Sequence, residues 1–434
     1  MRTRVLLTIA IAALLASLQI AGTRAAAQAA AQAATTSHEL TFAIPGRTNA
    51  FPSIASDGRF IAVVWGATTT DGKADVFIVT SRNGGLTFGA PVQVNATGGE
   101  ARLSGEMPPR VGIHTTASYG GPDVIVLWTA RGANTEIKMA RSDNGGRAFE
   151  EPVVLQSTNA AGDRGWPAMT LDDKGDPHAI WLDHRGMAGE KHEHDPNTPR
   201  DPVASAQKSA LYYANGAGNE HELTKGVCYC CKTSLIAGPA GTLFAAWRHV
   251  YPGSQRDIAF SASRDGGKNF SDPVPNSKDG WAIDACPDDG PAMALDATGQ
   301  TVHIVWPTVV DATSNDPRGV LFYTSTRDGG RTFAARTPVP TLGSAKASHP
   351  QIARDASGRL FLAWDESIKG KRVAAVREIK PGDKVAFGPI VTITGDAAGQ
   401  YPVLAATSDN LIAAWTASGE GIKVARVTVG SGSK

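Results

Sequence analysis

Ser81-Arg-Asn83-Gly-Gly85-Leu-Thr87-Phe88 decides the fold because it returns three times. The copies are Ser142-Asp-Asn144-Gly-Gly146-Arg-Ala148-Phe149, Ser263-Arg-Asp265-Gly-Gly267-Lys-Asn269-Phe270 and Thr326-Arg-Asp328-Gly-Gly330-Arg-Thr332-Phe333. In each, an Asp or Asn side chain can accept hydrogen bonds from nearby backbone N–H groups. The glycines supply positive φ, and the closing Phe can pin a hairpin between sheets. The copies hold one fixed place in a larger repeat. A Trp ends an alternating apolar strand at Trp65, Trp128, Trp181, Trp247, Trp306, Trp364 and Trp415, at intervals of 51 to 66 residues, enough for four short strands and their loops. Ahead of most of these a residue followed by Pro opens another strand, as in Phe51-Pro52, Trp166-Pro167, Gly290-Pro291, His349-Pro350 and Tyr401-Pro402.

The repeated turn resembles the Asp-box, or BNR repeat, of the sialidase-like β-propellers. The resemblance implies an all-β propeller of four-stranded blades. Seven Trp-ended strands predict seven blades. Six blades plus an irregular insert is the alternative, because the third unit has no Asp-box after Leu211-Tyr-Tyr. The seventh unit runs out after three strands, and Glu39-Leu-Thr-Phe-Ala-Ile44 is expected to supply the fourth, closing the ring and covering its exposed edges. The chain therefore divides into a signal peptide over 1–27, a disordered linker over 28–37 and one propeller over 38–434.

The signal peptide is read from the basic start Met1-Arg-Thr-Arg4, the apolar run 5–21 and the small residues Ala25-Ala26-Ala27. That run is short for a membrane span, so no span is expected once it is removed, and the mature chain is expected in the periplasm or outside the cell. Losing Arg2, Arg4 and Arg24 takes the formal charge from +1 to −2, which argues against nucleic acid as a partner. A monomer is expected.

All four cysteines, Cys228, Cys230, Cys231 and Cys286, fall at the loops that open the fourth and fifth blades, on the face opposite the Asp-boxes. Two readings compete. An even count in an exported chain suggests disulfides, with three complete pairings open. A soft-metal site is the other: thiolates select copper(I) or zinc, with copper(I) ahead in a periplasm, and Cys-x-Cys-Cys is awkward for unstrained bridges. His249, or His184, would then add an imidazole.

The resemblance to sialidases also implies an alternative activity, exo-α-sialidase-type hydrolysis of sialylated glycans. Those enzymes hold the sugar carboxylate with three arginines and use a Tyr nucleophile paired with a Glu. The family's Phe-Arg-Ile-Pro opening is replaced here by Asn49-Ala-Phe-Pro52. The nearest stand-ins are Arg110 and Arg248, with Tyr401 and Glu366 as the Tyr and Glu; Arg185 and Arg318 are further arginines on that face. A third reading needs no chemistry: a rim built from Trp166, Tyr251, Trp281 and Tyr401, with Asp183, Asp288, Asp289 and Glu366, would bind a glycan, peptide or protein ligand. The stretch from His184 to Asp201, with His192, His194 and Asp195, reads as a loop over the same face.

Overall fold

Among the described residues the chain forms seven antiparallel blades, one for each Trp-ended strand, six of four strands and one in which the outer position is shared by two short strands, Ala386–Phe387 and Val391–Thr392. The computed structural model describes residues 34–115, 120–157, 160–188, 201–216, 218–283, 287–311, 318–343, 346–395 and 397–429. Blade one comprises Thr48–Asp57, Phe60–Thr68, Ala74–Ser81 and Val92–Gln93; blade four comprises Ser234–Ala237, Leu243–Arg248, Ile258–Ser263 and Val274–Pro275. The first strand of each blade packs against the first strand of the next, and that of blade seven, Gln400–Ala406, returns to blade one. The seven-bladed expectation holds, including blade three, whose fourth strand His221–Lys225 forms without an Asp-box. The expected signal peptide lies outside the described residues. Among the described residues no helix is long and apolar enough to cross a membrane.

The closing strand begins earlier than the sequence suggested. Ala34–Phe42 pairs antiparallel with Gly421–Val429, from Ala34 opposite Val429 to Phe42 opposite Ile422. Residues 34–37, assigned above to the linker, are therefore strand: the long C-terminal strand offers ladder partners that far.

The core lies between blades. All seven strand-ending Trp residues are essentially inaccessible, and burying one aromatic side chain is worth roughly 2–3 kcal/mol. The Asp-boxes behave as their chemistry predicts. Ser81, Ser142, Ser263 and Thr326 accept from the N–H of Gly85, Gly146, Gly267 and Gly330 at 2.9–3.0 Å. Asn83 Oδ1 accepts from Thr87 N, and Asp328 Oδ1 from Thr332 N. Three of the four box Phe residues meet a ring of the preceding blade, Phe88 to Phe42, Phe270 to Tyr213 and Phe333 to Phe260, with ring centres 5.2–5.5 Å apart, and Phe149 packs against the cluster that holds Phe60. Gly267 needs to be glycine twice over, with φ +84° and a Cβ position 1.9 Å from the Tyr213 hydroxyl.

The large residue before Pro has a local cause too. Phe51, Trp166, His349 and Tyr401 all take φ between 52° and 62°, although none is glycine. At each, the pairing of the innermost strand slips, as between Ala50 and Ser53 or Gln400 and Val403. The slip is a β-bulge, which re-aims a side chain that regular pleating would send elsewhere. Pro then follows where a bulged strand tolerates a missing N–H.

Candidate metal centre and its surroundings

Residues 226–233 carry the chain from the last strand of blade three into the first of blade four. Cys228 N donates to Arg248 O at 2.9 Å and Val250 N to Gly226 O at 2.8 Å, so the run lies antiparallel to the residues that follow Trp247. Gly226, at φ +78°, leaves no room for a Cβ, which would meet the His249 ring at 3.0 Å. Downstream, Lys232 N donates to Glu106 Oε2 at 2.9 Å and Thr233 Oγ1 to Trp166 O at 2.8 Å. Both ends being fastened, Cys228, Cys230 and Cys231 turn inward and pack with Ala206 and Val250.

The three sulfurs form a nearly equilateral triangle, with Cys228–Cys230 3.7 Å, Cys228–Cys231 3.7 Å and Cys230–Cys231 3.9 Å. A disulfide needs about 2.05 Å, and these three thiols are free. The disulfide expectation is thus not met among the described cysteines, and Cys286 lies outside the described residues. All three sulfur atoms fall within 4.8 Å of one another, and among the described residues no fourth His, Cys, Asp or Glu ligand atom joins them at that distance.

Charge singles out the same place. Arg256 is fully buried, and its Nη1 donates to Cys228 Sγ at 3.2 Å. Its Nε and Nη2 have no hydrogen-bond partner among the described residues. Arg248, also buried, gives its donors to three carbonyl oxygens, those of Asp289, Arg256 and Pro307, and lies over the Trp281 ring. A guanidinium out of water needs compensating negative charge, and a neutral thiol supplies none. Hydrogen bonds from Cys230 and Cys231, with the Arg256 charge, hold Cys228 well below the ordinary thiol range, whereas burial pushes Cys231 up to about 12. The arrangement favours loss of the Cys228 proton beside a cation, and exchange of thiol protons for a metal ion at this cluster.

His249 is not part of that group. Its Nδ1 faces Trp247 Nε1 at 3.4 Å, its ring lies 4.6 Å from that of Tyr251, and burial lowers its pKa to about 4. The reason is a pattern in the repeat. Trp181 Nε1 donates to Asp183 at 3.2 Å and Trp364 Nε1 to Glu366 at 3.0 Å, so the residue two after the Trp satisfies its indole N–H. Glu366 also accepts from Leu342 N and is fully buried. Asp183, fully buried, binds Arg185 and Arg164. Of the proposed aromatic and acidic rim, then, Asp183, Glu366, Asp289 and Trp281 are buried, whereas Asp288 is exposed and Trp166, Tyr251 and Tyr401 are half-buried.

A second polar cluster occupies the axis. Glu106 meets Lys232; Lys232 Nζ donates to Pro350 O at 3.0 Å; His349 N donates to Asp289 Oδ1 at 3.1 Å. His349 Nδ1 lies 2.9 Å from Asp365 Oδ2, which also accepts from Tyr401 N at 2.6 Å. Only the centre of a ring brings blades four, five, six and seven together with the loop after blade one. Burial pushes Glu106 up to about 7 against the pull of Lys232, and lowers Arg110 to about 10. Arg110 Nε donates to Pro167 O at 2.8 Å; Glu106 Oε1, Arg110 Nη2 and Arg372 Nε are buried with no partner among the described residues. The Tyr401 hydroxyl passes 2.7 Å from where a Cβ on Gly105 would sit, which explains the glycine. Tyr401 therefore stands beside Glu106, whereas its expected partner Glu366 is bound to Trp364. Arg318 pairs with Asp311 in the open, away from this cluster.

No protein-family model matches the chain, and no curated protein matches it. Solved structures do. A polysaccharide lyase of family PL25, an ulvan lyase, is similar at TM-score 0.53 and 12% identity over 91% of this chain and 96% of its own. The GH93 α-L-arabinofuranosidase of Fusarium graminearum, in complex with arabinobiose, is similar at TM-score 0.51 and 12% identity over 83% of this chain and 99% of its own. A Hadza microbial sialidase superposes more loosely, at TM-score 0.45 and 15% identity over 81% of this chain and 73% of its own. At such identities the likeness to the lyase and the arabinofuranosidase is one of fold, the propeller.

Proposed function

We propose that this propeller binds a soft metal ion, copper(I) before zinc, through Cys228, Cys230 and Cys231, and that it does so outside the cytoplasm. The observation that carries the reading is the sulfur triangle held against the buried Arg256. An ion at the centre of a triangle with sides of 3.7 to 3.9 Å would sit about 2.2 Å from each sulfur, close to the metal–thiolate distance of about 2.3 Å. Zinc is almost always four-coordinate in structural sites and would stand out of the sulfur plane facing a fourth ligand. Copper(I) favours soft thiolates and is content with the three described here. Two positive guanidiniums beside three thiolates also suit a monovalent ion, whose complex keeps net negative charge.

The test is metal and thiol analysis of the full chain, purified without chelator and handled anaerobically. One copper(I) per chain, with thiols that react only after the metal is stripped, supports the reading. Thiols blocked until a reductant is added, together with no copper uptake by the reduced protein, would overturn it.

A second reading keeps the glycan-directed alternative. It is favoured by the unpartnered Glu106 Oε1, Arg110 Nη2 and Arg372 Nε on the axis, where a polar ligand would find donors and an acceptor. The ulvan lyase and the arabinofuranosidase show that the fold is used on polysaccharides and arabinosides. Turnover of a fluorogenic sialoside or other glycoside, abolished by Glu106→Gln, would establish it; no turnover across a glycoside panel removes it.

A further inference from the structure

Beside the thiols lies a cavity of about 510 Å³, lined among others by Trp166, His184, Met187, Tyr229 and Cys230. Of the three cysteines only Cys230 lines it. Cys230 is also the most accessible of them, at 7% against 1% for Cys228 and for Cys231. Ala206, Val250 and Tyr229 pack around the triangle, and the exposed Asp288 hydrogen-bonds Cys230. Cys230 is thus the sulfur nearest to solvent, and this cavity borders it.

The wall of the cavity is unusual in its donors. Met187 ends the short 3₁₀ turn Arg185–Met187, where its N–H donates to His184 O at 2.9 Å, and both residues line the cavity. The His184 ring lies 5.5 Å from that of Trp166 and 6.4 Å from that of Tyr229, bringing it between the two aromatic walls. Thioether and thiolate are soft donors that select copper(I), and imidazole also accepts copper. We propose that this cavity is the port through which copper(I) reaches the thiols, with Met187 and His184 as its first, transient ligands and Cys230 as the first permanent one. The proposal rests on the copper reading above. Loading is ligand exchange without change of oxidation state: the ion leaves its carrier for Met187 and His184 and moves to Cys230. It is then enclosed by Cys228 and Cys231, the thiol protons going to solvent. A donor relay of this kind lowers the barrier to exchange but leaves the end state to the thiolates, so it sets rates in both directions.

The test is stopped-flow transfer of copper(I) from a coloured chelator complex to the reduced full-length protein, under nitrogen, with stoichiometry measured separately at equilibrium. Met187→Leu, which conserves volume, and Ala161→Trp, at the exposed mouth of the cavity, should each slow loading by tenfold or more while the protein still takes up one copper. Met139→Leu, buried away from this cavity in the packing between blades two and three, serves as the control. Loading by both port variants at the wild-type rate overturns the proposal. Absence of copper uptake by the wild-type protein is a different result, and brings down the copper reading itself.

Discussion

Replacing Arg256 with Met removes one buried positive charge and keeps most of the side-chain volume. In the wild-type protein Nη1 lies 3.2 Å from Cys228 Sγ. A unit pair at that separation in a medium of effective dielectric near 20 attracts by about 5 kcal/mol. Part of that is offset, because the variant no longer holds a guanidinium out of water with two of its nitrogens unpartnered. A net loss of about 2–3 kcal/mol for the charged, metal-loaded state remains, or roughly a hundredfold in Kd. Competition for copper(I) against a chelator of known affinity, in anaerobic buffer near pH 7, reads this directly. The pH dependence adds a second readout. With the cation gone, the hydrogen bonds from Cys230 and Cys231 remain but part of what lowers Cys228 is lost, so protons compete better and the deficit should widen as pH falls. A variant that binds copper(I) within threefold of wild type at all pH values, while remaining folded by circular dichroism, refutes the argument that the cation serves the thiolates.

Cys286→Ser separates the two metals: a three-coordinate copper(I) site should keep its stoichiometry, whereas a zinc site using Cys286 as fourth ligand should lose most of its affinity, as titration with each ion will show. Glu366→Ala leaves the indole N–H of Trp364 and the N–H of Leu342 without their acceptor in a buried setting. It should cost about 2–4 kcal/mol of stability in denaturant unfolding, without changing copper binding. His303 is buried against Tyr323, with Nδ1 2.8 Å from the hydroxyl, and burial lowers its pKa to about 4. The unfolded chain binds this proton more readily than the folded one, so the contribution is whole above about pH 6.5 and is lost as pH falls toward 4. His303→Gln should flatten stability against pH across that window by about 1–3 kcal/mol, measured by chemical unfolding at several pH values.

The architecture was legible because it is written in repeated local chemistry. The Asx acceptor and paired glycines of the Asp-box specify a turn, and the spaced Trp residues specify one buried position per blade. The bulge residues before Pro were visible as a position but not as a backbone state, because positive φ in Phe51, Trp166, His349 and Tyr401 is imposed by the strand register around them. The site was legible in part. Cys228-Tyr-Cys-Cys231 announces itself by composition, yet Arg256, twenty-five residues beyond Cys231, gives no signal until the fold brings it under Cys228. Glu106 and Lys232 were missed for the same reason. His249 and Glu366 were misread although a signal existed: lining up Trp181, Trp247 and Trp364 shows an acceptor two residues later each time, and a repeated acceptor marks a structural duty.

The pairing of Ala34 with Val429 ties the two ends of the chain across almost its whole length. Loop closure over some four hundred residues costs on the order of 5 kcal/mol of chain entropy, so this seam is expected to form late in folding. The thiol triangle and its arginine draw on a short central stretch, residues 226 to 256, and on neighbours in adjacent blades. A chain that folds as it emerges, N-terminus first, can thus shelter its thiols in blades three and four before residue 429 has arrived. For a chain exported as proposed above, that order of assembly would cover thiols that oxidise readily when open before the ring has shut.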